Sequence, residues 1–335
     1  MRHQVVPHIR EVTVLDSIMA RVHGENKMGK YIVKRILTGI ISMFILITVT
    51  FFLTRSMPGS PFQTGNVSAD IQAAMEEEYG LNQPLLRQYG TYLGNLMKGD
   101  LGISFKKQGV RVTEVIGRAW PVTAALGFLA VLTAAVVGTL LGIWMAQTKS
   151  RLIKGGLFLG NVLGSAVPNF AAALLLLLIF GVKLGWFPVS GIFTPVHYVL
   201  PVISLAVYPT AVVARIMSQR FREEAGKEYV IMAKARGLKW RRIVWTHVMR
   251  HAYLPVLNYL GPAAAFLMTG SFVVETIYTI PGLGREFVEA ISNRDYTMIM
   301  GLTIFMGTVV ILVNLTVDLL CGLMNPRIRK SYEEA

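Results

Sequence analysis

Residues 220–250 read RFREEAGKEYVIMAKARGLKWRRIVWTHVMR, and His251-Ala-Tyr-Leu-Pro255 follows at once. This basic, helix-competent stretch separates two long apolar runs. Hydrophobic residues fill 53% of the 335 positions and only 16% are charged, less charge than a soluble domain of this size carries. A chain so apolar has little reason to hold a polar interval of this length unless something beside the membrane grips it.

Outward from that interval lie the uncharged runs 36–54, 119–148, 155–182, 184–214, 252–274 and 296–317. Each can hold the roughly 20 helical residues that cross about 30 Å of hydrocarbon. The fourth is too long for one helix. Its first half, GWFPVSGIFTP at 185–195, is rich in turn formers, which places the span near 197–217. The expectation is an all-α polytopic membrane protein with six transmembrane helices and an external segment between the first two. Barrel strands would need short alternating segments instead.

Charge sets the expected orientation. With the N-terminus inside, segments 1–35, 147–155, 215–251 and 324–335 are cytoplasmic and carry 23 Lys/Arg against 8 Asp/Glu, while the external segments carry 10 of each. The net charge of +14 therefore falls on one side. The high isoelectric point expresses this bias and implies no nucleic acid partner.

Catalytic and ligand motifs are weak. Gly24 to Lys30 fits most of a phosphate loop, but Tyr31 stands where Ser or Thr should hold magnesium and no strand precedes it. His247 and His251 share a helix face without a third ligand. The single cysteine, Cys321, allows no intramolecular disulfide and makes no zinc site. No catalytic residue, metal ligand or cofactor of its own is expected. Asp318 lies about one turn inside a span end, where water or Arg327 can meet it. Glu275 ends the fifth run and is expected to be solvated. Asn169, Ser204, Tyr208, Asn258 and Ser271 could line a solute path or serve ordinary hydrogen bonding between helices.

The external segment opens on Pro58-Gly-Ser-Pro-Phe62. Ser68 can cap a short helix through Tyr79. A second helix is expected at 85–97, with Leu85, Leu86, Tyr89, Leu93 and Leu96 on one stripe, and Gly99-Asp-Leu-Gly102 turns the chain. Such a cap could be a lid on its own bundle or a docking surface. Gly138 with Gly142, and Gly156, Gly160 and Gly164, are spaced for close helix approach.

Within the basic interval, Glu228 suits the start of a helix dipole. Tyr229, Met232 and Ala233 share a face, and Gly237 is the natural stop. Small residues at Ala233, Ala235 and Gly237 allow close backbone approach. A basic amphipathic helix could rest on anionic lipid. Anchorage by a span at each end favours a protein socket, because such a helix can transmit force.

Ala233-Lys-Ala-Arg-Gly237, then Arg242, His247 and Leu254-Pro255, resembles the cytoplasmic loop signature of ATP-binding-cassette importer permeases. Ile231 and Met232 stand where Glu and the first Ala belong, and the spacing to Pro255 is longer, as in the dipeptide, oligopeptide and nickel branch. Glu275-Thr-Ile-Tyr-Thr-Ile-Pro-Gly-Leu-Gly284, Asn293-Arg-Asp-Tyr296 and Asn325-Pro-Arg-Ile328 are similar to the B-type membrane subunit of oligopeptide importers. The resemblance implies a type I importer permease fold in the bacterial plasma membrane, with both termini cytoplasmic. Composition sets residues 1–27 apart as a polar extension, ahead of a first transmembrane helix at 28–54 and an external segment at 55–118. A permease bundle at 119–322, with its coupling loop at 219–250, and a tail at 323–335 complete the chain. Implied partners are a C-type permease, two ATPases carrying ATP and magnesium, an external solute-binding protein, membrane lipid and a peptide. Glu228, Tyr229, Met232, Ala233, Ala235, Arg236, Gly237 and Leu238 would meet an ATPase. The same machinery could carry dipeptides, glutathione or nickel. A stand-alone proton-coupled transporter is the alternative of another class, and the scarcity of intramembrane charge argues against it.

Overall fold

A computed structural model describes residues 14–58, 62, 76–77, 80–107 and 109–324. Among these residues the regular structure is helical apart from one isolated bridge, Ile103 to Arg111. Helix α1 (Val14–Arg55) runs to the cap end, so this rod begins within the residues set apart as a polar extension. Helix α2 (Leu85–Met97) has the bounds expected from its stripe. Helix α3 (Val112–Gln147) crosses back. It carries Pro121 and a π-helical turn at Ala134–Gly138, which accommodate a register the regular ladder cannot hold.

The third run departs from expectation. Instead of one rod over 155–182, helices α4 (Arg151–Ala166) and α5 (Asn169–Lys183) meet at a 107° bend. Pro168 lacks the donor for the next helical bond and starts α5 as its N-cap. The fourth rod is α6 (Pro195–Ala225). Then come α7 (Glu228–Ala235) and α8 (240–252), both at the basic end, and α9 (Leu254–Met268). The fifth run also breaks early. Gly270 takes φ +110°, and α10 (Phe272–Ile277) turns away before α11 (Leu283–Ser292) and the last rod, α12 (Tyr296–Met324). Among the described residues four helices are long and apolar enough to cross a membrane, the α4–α5 pair makes a fifth apolar path, and α9 is a shorter apolar rod.

Three buried clusters stack along the bundle. Met217, Phe221, Ile243 and Val248 fill the basic end, Leu126, Leu200, Leu205 and Tyr278 the middle, and Ile116, Leu283, Met298 and Leu302 the cap end. Gly138 and Gly142 do what their spacing suggests. A Cβ on Gly142 would sit 2.6 Å from the Ala214 carbonyl of α6. Helix α1 stands apart, with Ile47 and Phe51 against Met300 and Ile304 of α12. Asp318 pairs at 3.0 Å with Arg35 of α1; Arg327, the partner expected for it, lies outside the described residues.

The cap is a packed lid on one side. Tyr89, Leu93 and Leu96 of α2 close over Ile47 and Phe51, whereas Leu85 and Leu86 remain exposed. The helix proposed after Ser68 falls largely outside the described residues. A second clasp comes from Asp295, buried just ahead of α12. It accepts from the Ser104 hydroxyl, from the backbone N–H of Phe105 at 3.1 Å and Lys106 at 3.4 Å, and from Met298 N–H at 3.2 Å. Nearby, Lys107 Nζ meets Glu286 at 2.6 Å. Asp295→Ala removes the acceptor from Ser104, Phe105 and Met298 at once, and one of two acceptors from Lys106. It is expected to raise trypsin cleavage after Lys106 and Lys107 by about tenfold or more, because each unpaired buried donor costs about 1–3 kcal/mol. A parental cleavage rate would show that the clasp does not hold the segment.

Candidate functional site

The short helix α7 is built by local rules. Glu228 opens its first turn and Lys234 its last, each complementing the helix dipole. Its end is a Schellman cap: Gly237 N–H donates to the Lys234 carbonyl at 2.9 Å and Leu238 N–H to the Ala233 carbonyl at 3.2 Å. Gly237 stands at φ +75°, a conformation glycine adopts without the penalty a Cβ brings.

Packing then divides the helix in two. Val230 and Ala233 are buried with Phe221, Ile243 and Val248, and Tyr229 and Leu238 pack against the same cluster. Ala233 is therefore an anchor to the chain's own bundle, although it was expected on the contact face. The opposite face carries Glu228, Ile231, Met232, Ala235 and Arg236, all exposed. Ile231 and Met232 are 59% and 57% exposed. Ile231 was missing from the expected contact set. Its signal was present, since it is an apolar residue beside Met232 in an otherwise basic interval.

Polar contacts stiffen the base of this helix. Glu224, at the end of α6, accepts from Lys227 Nζ at 2.6 Å and from the Tyr229 hydroxyl at 2.8 Å. Burial pushes its carboxyl up, but those two hydrogen bonds together with the charges of Lys227 and His251 leave the group below its ordinary range. Burial pushes the Tyr229 phenol up, and the Glu224 carboxylate adds to the shift. Tyr229 also meets the His251 ring edge-on at 5.9 Å. Lys234 lies 4.7 Å over the Trp240 ring, a cation–π contact that ties α7 to α8.

At the cap end a second polar centre surrounds Glu275, which is 1% exposed rather than solvated. Its carboxylate accepts from the Thr123 hydroxyl of α3 at 3.1 Å and the Arg285 N–H at 3.2 Å. Thr123 in turn accepts from Leu283 N–H at 2.8 Å. Leu283 to Arg285 form the first turn of α11, so Glu275 caps that helix from outside its own sequence. Gly282 and Gly284 make room: a Cβ on Gly282 would fall 2.6 Å from Thr123 Oγ1 and onto the carboxylate itself. Burial pushes the Glu275 carboxyl up, partly offset by the backbone donors and Thr123.

The expected path residues lie on three helices and the turn before α10. Ser204 is fully buried and committed to the Leu200 carbonyl at 2.8 Å and the Tyr278 hydroxyl at 3.1 Å. It braces α6 against the loop after α10, and in this conformation it faces no path. Tyr208 of α6 and Asn258 of α9 are exposed; Asn169 of α5 and Ser271, before α10, are half-buried.

This arrangement, a bundle with a short basic-end helix held between two rods, can be compared with known proteins. Residues 138–330 match the family described as binding-protein-dependent transport system inner membrane component, and 28–127 match its N-terminal companion. The chain belongs to that family. The oligopeptide transport system permease protein of Haemophilus influenzae is 41% identical over 305 residues, covering 90% of this chain and all of the relative. The dipeptide transport system permease protein of Bacillus subtilis is 38% identical over 303 residues, covering 90% of this chain and 98% of the relative. Among solved structures, an inward-facing MetNI methionine ABC transporter aligns with TM-score 0.53 at 15% identity, over 63% of this chain and 96% of the other. That likeness shows the type I permease fold. As a member of this family the chain is a non-catalytic, multi-pass component of a bacterial inner membrane.

Proposed function

We propose that this permease translocates oligopeptides, delivered by an external binding protein, in an importer driven by two partner ATPases. A C-type permease would complete the membrane unit, and ATP with magnesium would sit on the ATPases. Support for the cargo comes from the oligopeptide and dipeptide relatives. One observation carries the mechanical reading: α7 is fastened to the bundle through Val230 and Ala233 while Ile231 and Met232 stand uncovered. A helix held on one side, with two large apolar side chains uncovered on the other, fits a socket on a neighbouring protein.

In this reading residues 1–27 precede the first transmembrane helix at 28–54, 55–118 is external, 119–322 forms the bundle and 323–335 a cytoplasmic tail. The loop 219–250 couples. Closure of the ATPase dimer would pull α7, and the rigid link to α6 and α8 would move the rods. That requires the loop to bind the closed and open dimers with different affinity.

The excess of basic residues puts α7 in the cytoplasm and α2 outside. In a Cys321→Ser background, a cysteine at Lys98 is expected to react with a membrane-impermeant maleimide in intact spheroplasts. One at Lys239 should react only after permeabilisation. The reverse labelling would overturn the orientation. Uptake of defined peptides, dipeptides, glutathione and nickel in a deletion strain tests the cargo. Retained peptide uptake there, with loss of nickel uptake alone, would overturn the peptide assignment.

A further inference from the structure

The glycines at 156, 160 and 164 were read as a helix-packing stripe, yet the structure leaves space beside them. A Cβ at Gly156 or Gly160 would meet nothing within 4 Å, and one at Gly164 would make ordinary contact with Ala211 at 3.4 Å and Val207 at 3.8 Å. The stripe lines a groove of about 550 Å³ between α4, α6 and the second half of α3. Its other walls are apolar side chains such as Val137, Leu141 and Val207. Helices α4 and α6 are pinned at discrete points, Asn161 Nδ2 to the Ala211 carbonyl at 2.7 Å and Arg215 to Ser165 Oγ at 2.9 Å.

Toward the basic end this groove runs into a second recess of about 690 Å³, with Met145 and Asn161 common to both. The recess is lined by Arg215 and Arg222, seven residues apart and so on one helix face. Arg215 binds the Ser165 hydroxyl, and Arg222 binds the Ser218 carbonyl and hydroxyl, all neutral acceptors. The acid lining the recess, Glu223, is already engaged by Arg220 at 2.9 Å and Gln219 at 3.1 Å. Two guanidinium groups thus remain without a carboxylate partner among the described residues, where the recess meets the apolar slot.

An apolar slot continuous with a basic mouth fits an amphiphile with an acidic head, and basic pockets between membrane helices take anionic headgroups. We propose that this groove binds an anionic phospholipid. Its phosphate lies between Arg215 and Arg222, and one acyl chain lies along Gly156, Gly160 and Gly164. The lipid would fill the gap between α4 and α6, where the protein supplies no side chain.

The assembled transporter carrying the full chain is purified in mild detergent and offered equimolar phosphatidylglycerol and phosphatidylcholine. Bound lipid is counted by native mass spectrometry. The parent is expected to retain phosphatidylglycerol about 30-fold over phosphatidylcholine, the preference two surface arginines confer. Arg215→Ala with Arg222→Ala should erase the preference, Arg215→Lys should keep most of it, and Gly160→Leu should expel both lipids. Added inorganic phosphate should displace nothing. The proposal is overturned by equal retention of the two lipids in the parent or by a preference that survives the double alanine change. Displacement by phosphate, or a cysteine at 160 that cross-links to a second permease chain, would overturn it as well.

Discussion

Glu275→Ala is expected to destabilise the bundle by about 3 kcal/mol or more, since hydrogen bonds to a charged acceptor are worth about 1.5–3 kcal/mol and each donor left buried and unpaired costs about 1–3 kcal/mol. The Thr123 hydroxyl and the Gly284 and Arg285 N–H groups would lose their acceptor together. The measurement is the unfolding midpoint of the purified complex in a denaturing detergent series. Glu275→Gln should cost less, because the amide oxygen can still accept from the Thr123 hydroxyl and the Arg285 N–H. Thr123→Val should behave like the alanine change in kind. The pair should be sub-additive, because both substitutions empty the same network. Gly282→Ala attacks the site from the other side, placing a methyl where the carboxylate lies. Full parental stability in both Glu275→Ala and Gly282→Ala would show that the cap of α11 is not held by this carboxylate.

What composition and periodicity made legible, and what they did not, divides along a physical line. Helix α2 appeared with its expected bounds because an amphipathic stripe between Pro84 and Gly99 leaves few alternatives. Gly237 was recognisable as a helix stop because a left-handed terminal residue favours glycine. The bend at Pro168 was hidden, since hydropathy reads the uninterrupted apolar run 155–182 as one rod and is blind to a missing backbone donor. Glu275 misled for the opposite reason. An acid at the end of an apolar run suggests water, but its real partners are Thr123, 152 residues away, and a helix start made accessible by two glycines. The Asp318 to Arg35 pair and the burial of Ser204 under Tyr278 are likewise contacts between distant segments, which no local pattern announces.

Thr279 and Arg294 carry a related lesson. Both follow short helices at the cap end and stand at φ 52° and 56°, where their neighbours complete Schellman caps. Ile280 N–H reaches the Glu275 carbonyl at 2.8 Å, and Asp295 N–H reaches the Ala290 carbonyl at 2.9 Å. A β-branched residue in that conformation is strained. The strain is borne beside the two buried acids, Glu275 and Asp295, that fasten the cap end to the rods. The cap end is thus over-determined by polar contacts, whereas the basic end holds α7 chiefly by apolar packing.

That asymmetry sets the second large effect. Met232→Glu, alone or with Ile231→Glu, is expected to lower peptide uptake by about 30-fold or more, the loss that accompanies removal of an interface hot spot worth about 2 kcal/mol. Both side chains are more than half exposed in the isolated chain. The change should therefore leave folding and membrane insertion within about 0.5 kcal/mol of the parent, as surface substitutions do. Ala233→Trp is the contrasting variant. It drives a large ring into the cluster of Phe221, Ile243 and Val248, and should lower the amount of folded chain, because overpacking a buried site costs about 1–3 kcal/mol. Transport and yield would then fall together in Ala233→Trp, but transport alone in Met232→Glu. ATP hydrolysis by the assembled complex separates the causes further. A socket role predicts that Met232→Glu hydrolyses ATP without matching uptake, because the ATPases remain whole while their hold on α7 is weakened. Lys234→Ala removes the stack on Trp240 and the last-turn charge of α7, and should change uptake by less than about threefold, since an exposed cation–π contact is worth about 0.5–1 kcal/mol. Parental uptake in the doubly acidic variant would remove α7 from the transmission of force, because no apolar socket tolerates two carboxylates on the face it covers.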